Sequence, residues 1–230
     1  ALAEVARGAV EQPLPFAREN QFVYTRSKNS WMTMFMGGAT PDGKQGRPWA
    51  ALQDVDRRAW ASVERRGVLV ERRGNMRFVT ERDRRLAKQS NPRFAKPSRQ
   101  PRQHVMGLAP NRSYFMDGDS GRLTREELLD YPTDPETIYQ RALRGLHGAG
   151  QGDADGVWQS LTEGLMENSF PPDLRAGMVR ALGLIPGVQS FGERTDPLGR
   201  RGVAFGRVHA GVRDEVLFDA ETSLLLYSQS

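Results

Sequence analysis

The chain contains no cysteine, only three histidines and few aromatic residues, and each shortage narrows the chemistry open to it. Without cysteine there are no disulfides, thiolate nucleophiles or cysteine-ligated metal sites. No stretch approaches the ~20 consecutive apolar residues that a membrane-spanning helix needs. The composition therefore predicts a globular chain that is soluble as it stands.

Lysine is also scarce, standing only at Lys28, Lys44, Lys88 and Lys96, so arginine supplies most of the positive charge. The 33 basic residues outnumber the 28 acidic ones and give a net charge of +5 at pH 7. Hydrophobic residues make up 38% of the 230 positions, which suffices for one sizeable core. We expect a single domain over residues 1–230.

The first half of the chain begins with apolar residues at helical spacing from Leu2 to Val10, followed by Pro13 and Pro15, which predicts a short amphipathic helix. From Gln21 the period changes to two, which predicts strands. Two strands are expected at Phe22–Thr25 and Trp31–Phe35, joined near Lys28–Ser30. After a loop over Gly37–Pro48, three more are expected at Arg57–Glu64, Val68–Arg72 and Met76–Thr80, with turns at Arg66-Gly67 and Arg73-Gly74-Asn75.

The second half predicts a helical insertion over 133–185 and then a second meander of strands. Thr133 is followed three residues later by Glu136, as in a capping box, and Pro135 suits a first helical turn. Two more amphipathic stretches carry Val157, Trp158, Leu161 and Leu165, and then Leu174, Met178, Leu182 and Ile185. The final strands are expected at Val188–Thr195, Gly202–Val208, Arg213–Phe218 and Ser223–Tyr227. The predicted fold class is α+β: a curved antiparallel sheet of two meanders, covered by an N-terminal helix and three central helices.

Residues 82–111 read as a long basic loop, because eight cations between Arg82 and Arg102 alternate with prolines and show no apolar period. A solvated loop is the simplest interpretation. Clustered cations also suit contact with an anionic polymer. The candidate contact residues are Arg82, Arg84, Arg85, Lys88, Arg93 and Lys96. No nucleic-acid motif accompanies them, which argues against nucleic acid as the partner.

No catalytic constellation emerges from the remaining motifs. Gly118-Asp119-Ser120-Gly121 imitates a serine-protease nucleophile segment, but His104, His147 and His209 lie in no recognisable setting for a base. Asp117 and Asp119 in this segment are not followed by the full series of ligands of a calcium-binding loop. The three histidines do not have the spacing of a zinc-binding motif. The sequence therefore predicts a noncatalytic protein without metal or cofactor, although a hydrolase with an unfamiliar site stays open.

Several segments resemble a family of uncharacterised actinobacterial membrane-anchored proteins. They are Gln21-Phe22-Val23-Tyr24, Leu128–Pro135, Leu174-Arg175, Ile185–Val188, Asp196–Gly199, Arg200–Ala204 and Glu215–Asp219. The resemblance implies an exported, extracytoplasmic domain whose membrane anchor or signal preceded Ala1. It also implies a link to signalling beside sigma factors, and it carries no catalytic residue.

The order helix, meander, helices, meander also resembles the lipoprotein-carrier fold, which is called LolA-like. That resemblance implies an apolar concavity for an acyl chain or peptide. The candidate lining residues are Trp31, Met32, Met34, Trp60, Met76 and Phe78. The ordinary alternative is that these side chains form plain core.

We therefore expect a membrane-tethered extracytoplasmic domain that binds a hydrophobic ligand, such as a lipid, or an envelope protein. The alternatives are a signalling module without a small ligand, a polyanion-binding domain and the hydrolase.

Overall fold

The computed structural model describes residues 2–11, 20–37, 46–62, 64–90, 102–110, 116–117, 121–145, 153–166, 170–209 and 211–229. These residues form six helices: α1 (Leu2–Glu11), α2 (Glu81–Ser90), α3 (Arg125–Leu129), α4 (Pro135–Arg144), α5 (Asp153–Met166) and α6 (Pro172–Leu182). The strands are β1 (Phe22–Phe35), β2 (Trp49–Ser62), β3 (Gly67–Phe78), β4 (Arg102–Leu108), β5 (Met116–Asp117), β6 (Gly121–Arg122), β7 (Gln189–Thr195), β8 (Arg201–His209), β9 (Val212–Asp219) and β10 (Leu225–Gln229).

The chain divides into two compact units. The small unit is Phe22–Pro110, and the large unit combines Ala1–Gln21 with Asn111–Ser230. The α+β class is confirmed, but the two predicted meanders form two separate four-stranded antiparallel sheets and not one. The expectation of a single domain over 1–230 stays a prediction.

The small unit is built on the sheet β1-β2-β3-β4, in which every neighbouring pair is antiparallel. β1 and β2 each have 14 residues and pair along their whole length, from Phe22 opposite Ser62 to Phe35 opposite Trp49. The predicted turn at Lys28–Ser30 is therefore wrong, because these residues continue β1 opposite Asp56–Asp54.

The predicted hairpin at Arg73-Gly74-Asn75 is also wrong, because β3 runs through these residues. The register shifts by one residue there: Val55 pairs with Arg73, whereas Gln53 pairs with Met76. One extra residue on β3 is the signature of a β-bulge, in which the strand bends without reversing. The amide of Gln53 donates to the Gly74 carbonyl at 3.0 Å and holds the bulge.

Two parts of the predicted basic loop have regular structure. Glu81–Ser90 is helix α2, and Arg102–Leu108 is the edge strand β4. Residues 91–101 and 111, which the prediction also included, lie outside the described residues. The helix begins where Thr80 Oγ1 accepts from the Asp83 backbone N–H at 3.1 Å, so a cap starts it despite the lack of an apolar stripe.

One face of the small sheet is packed. Trp49, Ala51, Val55 and Leu69 are all buried, and the register places them on the same side. Helix α2 covers part of this packed face through the fully buried Ala87. Around this contact lie Phe35, Met76, Phe78 and Leu86.

The large unit holds the larger core. The predicted apolar faces of the central helices are confirmed, since Trp158, Leu161, Leu174 and Met178 are buried together with residues of α1 and of the sheet β10-β9-β8-β7. Helix α6 passes very close to the segment before α4: a Cβ on Gly177 would lie 2.3 Å from the Thr133 carbonyl oxygen.

Helix α4 begins at Pro135, which the prediction placed in its first turn, but its cap is a different residue from the predicted one. Asp134, and not Thr133, caps α4, because its carboxylate accepts from the Thr137 backbone N–H at 2.8 Å. A capping box does occur one helix earlier, where Thr124 and Glu127 bond each other's backbone N–H groups at the start of α3. No described helix is both long and apolar enough to cross a membrane.

Candidate ligand-binding surface

The second face of the small sheet, the exposed face, carries large apolar side chains that face solvent. Residues directly opposite each other in an antiparallel sheet share a face, so the register defines it. Tyr24 lies opposite Trp60, which lies opposite Val68. Tyr24 is 51% exposed and Val68 is 39% exposed.

The same apolar region continues onto the neighbouring rows of the sheet. Phe22, two residues before Tyr24, is 44% exposed, and Val105 on the edge strand β4 is 61% exposed. Val105 lies opposite Val70, so apolar side chains extend across all four strands. Contiguous exposed apolar groups of this kind mark interaction sites on proteins. We call this region the apolar end of the exposed face.

Cationic side chains follow next to the apolar end. The row of Val70 and Val105 continues with Arg58 on β2 and Arg26 on β1, and the row after it contains Lys28, Asp56 and Arg72. Successive rows are about 7 Å apart, because the strand rises about 3.4 Å per residue. These two rows therefore contain one carboxylate, Asp56, and four cations, which are Arg26, Arg58, Lys28 and Arg72. We call the two rows the cationic rows.

Asp56 is held by its neighbours. Arg26 donates to both carboxylate oxygens, from Nη2 at 2.7 Å and from Nε at 3.2 Å, and Arg58 Nε lies 3.6 Å away. The hydrogen bonds from Arg26 hold the pKa of Asp56 below its ordinary value. Lys28 and Arg72, which flank Asp56 in the register, are exposed to solvent and add two further positive charges.

The residues predicted to line an apolar cleft are not brought together. Met32 and Met34 are 61% and 65% exposed, and the register places them on the exposed face beyond the cationic rows. Met76 and Phe78 pack on the opposite face against Trp49. Of the predicted cleft residues, Trp60 alone belongs to the apolar end, and the side chain of Trp31 lies outside the described part.

The predicted polyanion contacts divide between described and undescribed parts of the chain. Arg82, Arg84, Arg85 and Lys88 lie on α2, and all four are exposed. Arg93 and Lys96 fall in residues 91–101, outside the described ranges.

A charge cluster in the large unit involves one of the three histidines. Arg207 Nη2 lies 2.5 Å from Asp155 Oδ1 and 3.1 Å from Asp214 Oδ2. His209 Nε2 lies 2.8 Å from Asp214 Oδ2, and its Nδ1 lies 3.4 Å from Asp155 Oδ1. Both ring nitrogens face carboxylates, so the cluster pairs charges and joins α5 to the β8–β9 hairpin.

The other chemistry considered from the sequence finds less support among the described residues. His104 is exposed on β4, while His147 and the Asp119-Ser120 pair lie outside the described part. No group of three or more histidine, aspartate or glutamate side chains in the described ranges is placed to hold a metal ion.

A shallow depression of about 330 Å³ lies beside α3 in the large unit. It contains acidic and basic groups together, and Arg141 stacks 4.9 Å above the Tyr131 ring at its wall. The residues around it are Leu123, Glu126, Glu127, Asp130, Tyr131, Pro132 and Arg141.

The exposed face was missed at the sequence level, although a signal for it exists. Apolar residues occupy both parities of β1, with Val23 and Phe35 on one and Phe22, Tyr24, Met32 and Met34 on the other. In a strand with one solvent-exposed and one packed face, apolar residues occupy only every second position.

Comparison with protein-family models, with curated proteins and with solved structures finds no match to this chain.

Proposed function

We propose that this protein is a noncatalytic binding module that takes a lipid-like anionic amphiphile on the exposed face of the small sheet. The observation that carries the proposal is the juxtaposition of the apolar end with the cationic rows. An acyl chain would cover Tyr24, Trp60 and Val105, and an acidic head group would lie against Lys28 and Arg72.

The energetics of both parts favour such a ligand. Apolar surface removed from water contributes roughly 25 cal/mol per Å², and several half-exposed large side chains lie side by side here. The cationic rows carry a net positive charge, because Asp56 offsets only one of the four cations. A neutral apolar partner would leave this charge without a counterpart, whereas an anionic head group complements it.

The aromatic pair prepares the surface for binding. Tyr24 and Trp60 have their ring centroids 5.1 Å apart, tilted by 42°. Each ring limits the rotation of the other, so less conformational entropy is lost when a ligand covers them. Amphipathic aromatic side chains of this kind also suit the boundary between water and acyl chains.

The wider setting forms part of the proposal. A membrane-anchored, extracytoplasmic position, as the family resemblance implies, would hold the exposed face close to lipid. The LolA-like resemblance suggests a related ligand class. The open sheet face differs from a carrier's closed concavity, so we propose contact with lipid at a surface and not transport inside a cavity.

The second candidate is a protein-interaction module in envelope signalling, in which an apolar protein surface covers the apolar end. The same exposed aromatic residues favour it, since aromatic side chains dominate protein interfaces. The two candidates differ in the role of Lys28 and Arg72, which a lipid head group requires and an apolar protein surface does not.

Flotation with vesicles separates these candidates. The protein is mixed with vesicles of phosphatidylglycerol in phosphatidylcholine, or of phosphatidylcholine alone, and the bound fraction is measured. We expect binding to the anionic vesicles, weakened by Tyr24→Ser with Val105→Ser and independently by Lys28→Gln with Arg72→Gln. Val208→Ser with Leu198→Ser, at exposed apolar residues of the large unit, and Arg194→Gln with Arg201→Gln are the matched controls.

Absence of vesicle binding, or binding that neither double variant weakens, would overturn the lipid proposal. Native mass spectrometry with lipid extraction gives an independent readout, since a stoichiometric acyl-chain ligand would be seen directly.

A further inference from the structure

Helix α2 presents a second charged surface, which the proposed function does not use. Its inward side is fixed by the fully buried Ala87 and by Leu86, which pack with Trp49 and Phe78. The side away from these contacts therefore faces water. Arg82, Arg85 and Lys88 lie there at intervals of three residues, and all three are exposed.

The acidic residues of the helix leave this ridge positive. Asp83 is turned towards the sheet, where Oδ1 accepts from the Ala50 backbone N–H at 3.0 Å and Oδ2 from Thr80 Oγ1 at 2.5 Å. Glu81 lies 3.2 Å from Arg84 Nη1, so these two charges offset each other. Arg82, Arg85 and Lys88 are left as the cationic ridge.

The ridge has the dimensions of a phosphate contact. A rise of 1.5 Å per residue places Arg82 and Lys88 about 9 Å apart along the helix axis. That length spans on the order of three phosphates of one nucleic-acid strand. Asp83 and Ala87 anchor the helix to the sheet, so the cations are presented on a supported element.

The position of α2 identifies the kind of polyanion. The helix packs on the face of the sheet that carries Trp49 and Ala51, which is opposite to the face that carries Tyr24 and Val105. One flat bilayer cannot contact both faces at once. If the exposed face lies on lipid, as proposed above, the cationic ridge points away from that bilayer towards soluble anions.

We propose that the cationic ridge of α2 binds a soluble phosphate polymer through its backbone charges, without reading a base sequence. A single-stranded nucleic acid and inorganic polyphosphate share this chemistry. The step that excludes the bilayer rests on the proposed function, whereas the ridge itself does not.

The test measures binding of a fluorescein-labelled 20-nucleotide oligothymidine by anisotropy at several salt concentrations, with inorganic polyphosphate as competitor. For single strands, log Kd changes with log salt by about 0.7 per phosphate contact. We expect Arg82→Gln/Arg85→Gln/Lys88→Gln to lower this slope by about 2 and to weaken binding at low salt at least about tenfold.

The matched control is Arg47→Gln/Arg65→Gln/Arg66→Gln, which removes the same charge from exposed arginines of the same unit. An equal loss in this control would show general charge attraction and would overturn the proposal, as would undetectable binding of both polymers to the wild type. Polyphosphate that displaces oligothymidine at an equal phosphate concentration would identify the phosphate backbone as the recognised group, whereas failure of polyphosphate to compete would assign the ridge to nucleic acid and overturn recognition of the backbone alone.

Vesicle flotation of the α2 variant keeps the two proposals apart. Anionic vesicle binding should be unchanged in this variant, and a loss there together with unchanged oligothymidine binding would assign the ridge to lipid and overturn the inference. Circular dichroism and chemical unfolding of each variant verify that the fold is intact.

Discussion

Tyr24 and Trp60 lie directly opposite each other on neighbouring strands, with their ring centroids 5.1 Å apart, yet half of Tyr24 remains exposed. A cross-strand aromatic pair stabilises a sheet by roughly 0.2 to 1 kcal/mol. Because this pair is partly exposed, much of its apolar surface stays in contact with water until a ligand covers it.

We expect Tyr24→Ser to weaken binding to anionic vesicles about fivefold, which corresponds to about 1 kcal/mol of lost apolar contact. The unfolding midpoint should move little, because the side chain contributes modestly to the folded state. Vesicle flotation and urea unfolding measure the two effects. A large loss of stability with unchanged binding would assign Tyr24 to the fold alone.

Asp56→Asn should strengthen binding to the same vesicles about threefold and make it more sensitive to salt, since each positive charge gained on the face that contacts the membrane attracts anionic lipid. The carboxylate is bound by Arg26, so its loss releases that guanidinium for a head group. Glu193→Gln, on β7 of the large unit and paired with Arg201 at 2.9 Å, adds the same charge away from this face and is the control. Weaker binding by Asp56→Asn would contradict the assigned role of the cationic rows.

We expect the ionisation of the buried Asp196 to make the free energy of unfolding depend on pH. Burial raises the pKa of its carboxyl, but hydrogen bonds from the Arg200 backbone N–H and guanidinium and from the Leu198 N–H lower it by more, so the pKa lies below its ordinary value. A lowered folded-state pKa adds stability above the unfolded pKa of about 3.9, and this is lost as the pH falls through the folded value.

We therefore expect Asp196→Asn to lower the free energy of unfolding by about 1 to 3 kcal/mol near neutral pH, because a charged, hydrogen-bonded buried group is replaced. The difference from the wild type should shrink as the pH falls below about 4. Urea unfolding across pH measures it, with Glu193→Gln, an exposed neighbour on β7, as control. A difference that is constant with pH would show that the charge is irrelevant.

Arg207 is buried between Asp155 and Asp214, so its removal leaves Asp214 buried without a guanidinium. Arg207→Met should destabilise the large unit by about 3 to 5 kcal/mol. Arg201→Met, whose exposed partner is Glu193, should cost less than about 1 kcal/mol. Thermal unfolding of both variants compares a buried with an exposed ion pair on one strand, and equal effects would refute this view of the cluster.

Gly177→Ala tests the close approach of α6 to Thr133. Alanine favours a helix over glycine by about 1 kcal/mol, but the new Cβ would meet a backbone oxygen, which costs typically about 1 to 3 kcal/mol. We expect net destabilisation by urea unfolding, whereas Arg180→Ala on the exposed side of the same helix should be nearly neutral. A stabilised Gly177→Ala variant would mean that the two segments separate readily.

The last four strands and the central helices could be predicted because their apolar periods are clear and their turns are marked, as at Asp196–Gly199. The polar residues Lys28–Ser30 favour a turn in the sequence. In the structure they form a solvent-exposed stretch of β1, which accounts for their polarity. Helix α2 was missed because it buries little more than Ala87; Thr80 three residues before Asp83 was the available signal.

The apolar residues on both faces of β1 signal an exposed face, but its full membership depends on the pairing of distant strands, as between Val70 and Val105, which periodicity alone does not give. Beyond the bulge, the one-residue shift between Gln53 and Val55 also decides which residues of β3 share a face. Met76 and Phe78 were grouped with Met32 and Met34 on chemistry alone, and the sheet separates them.

The bulge in β3 changes which positions of the strand face the core. Beyond Gly74 and Asn75 the alternation of side chains is inverted, so Met76 and Phe78 point to the core and Arg77 lies opposite Leu52 on the exposed face. Deleting Asn75 alone would remove the extra residue and restore a regular ladder, in which Met76 and Phe78 still face the core beside Trp49. The extra residue of the bulge is therefore the position at which this hairpin can lose one residue without exchanging the two faces of its strands.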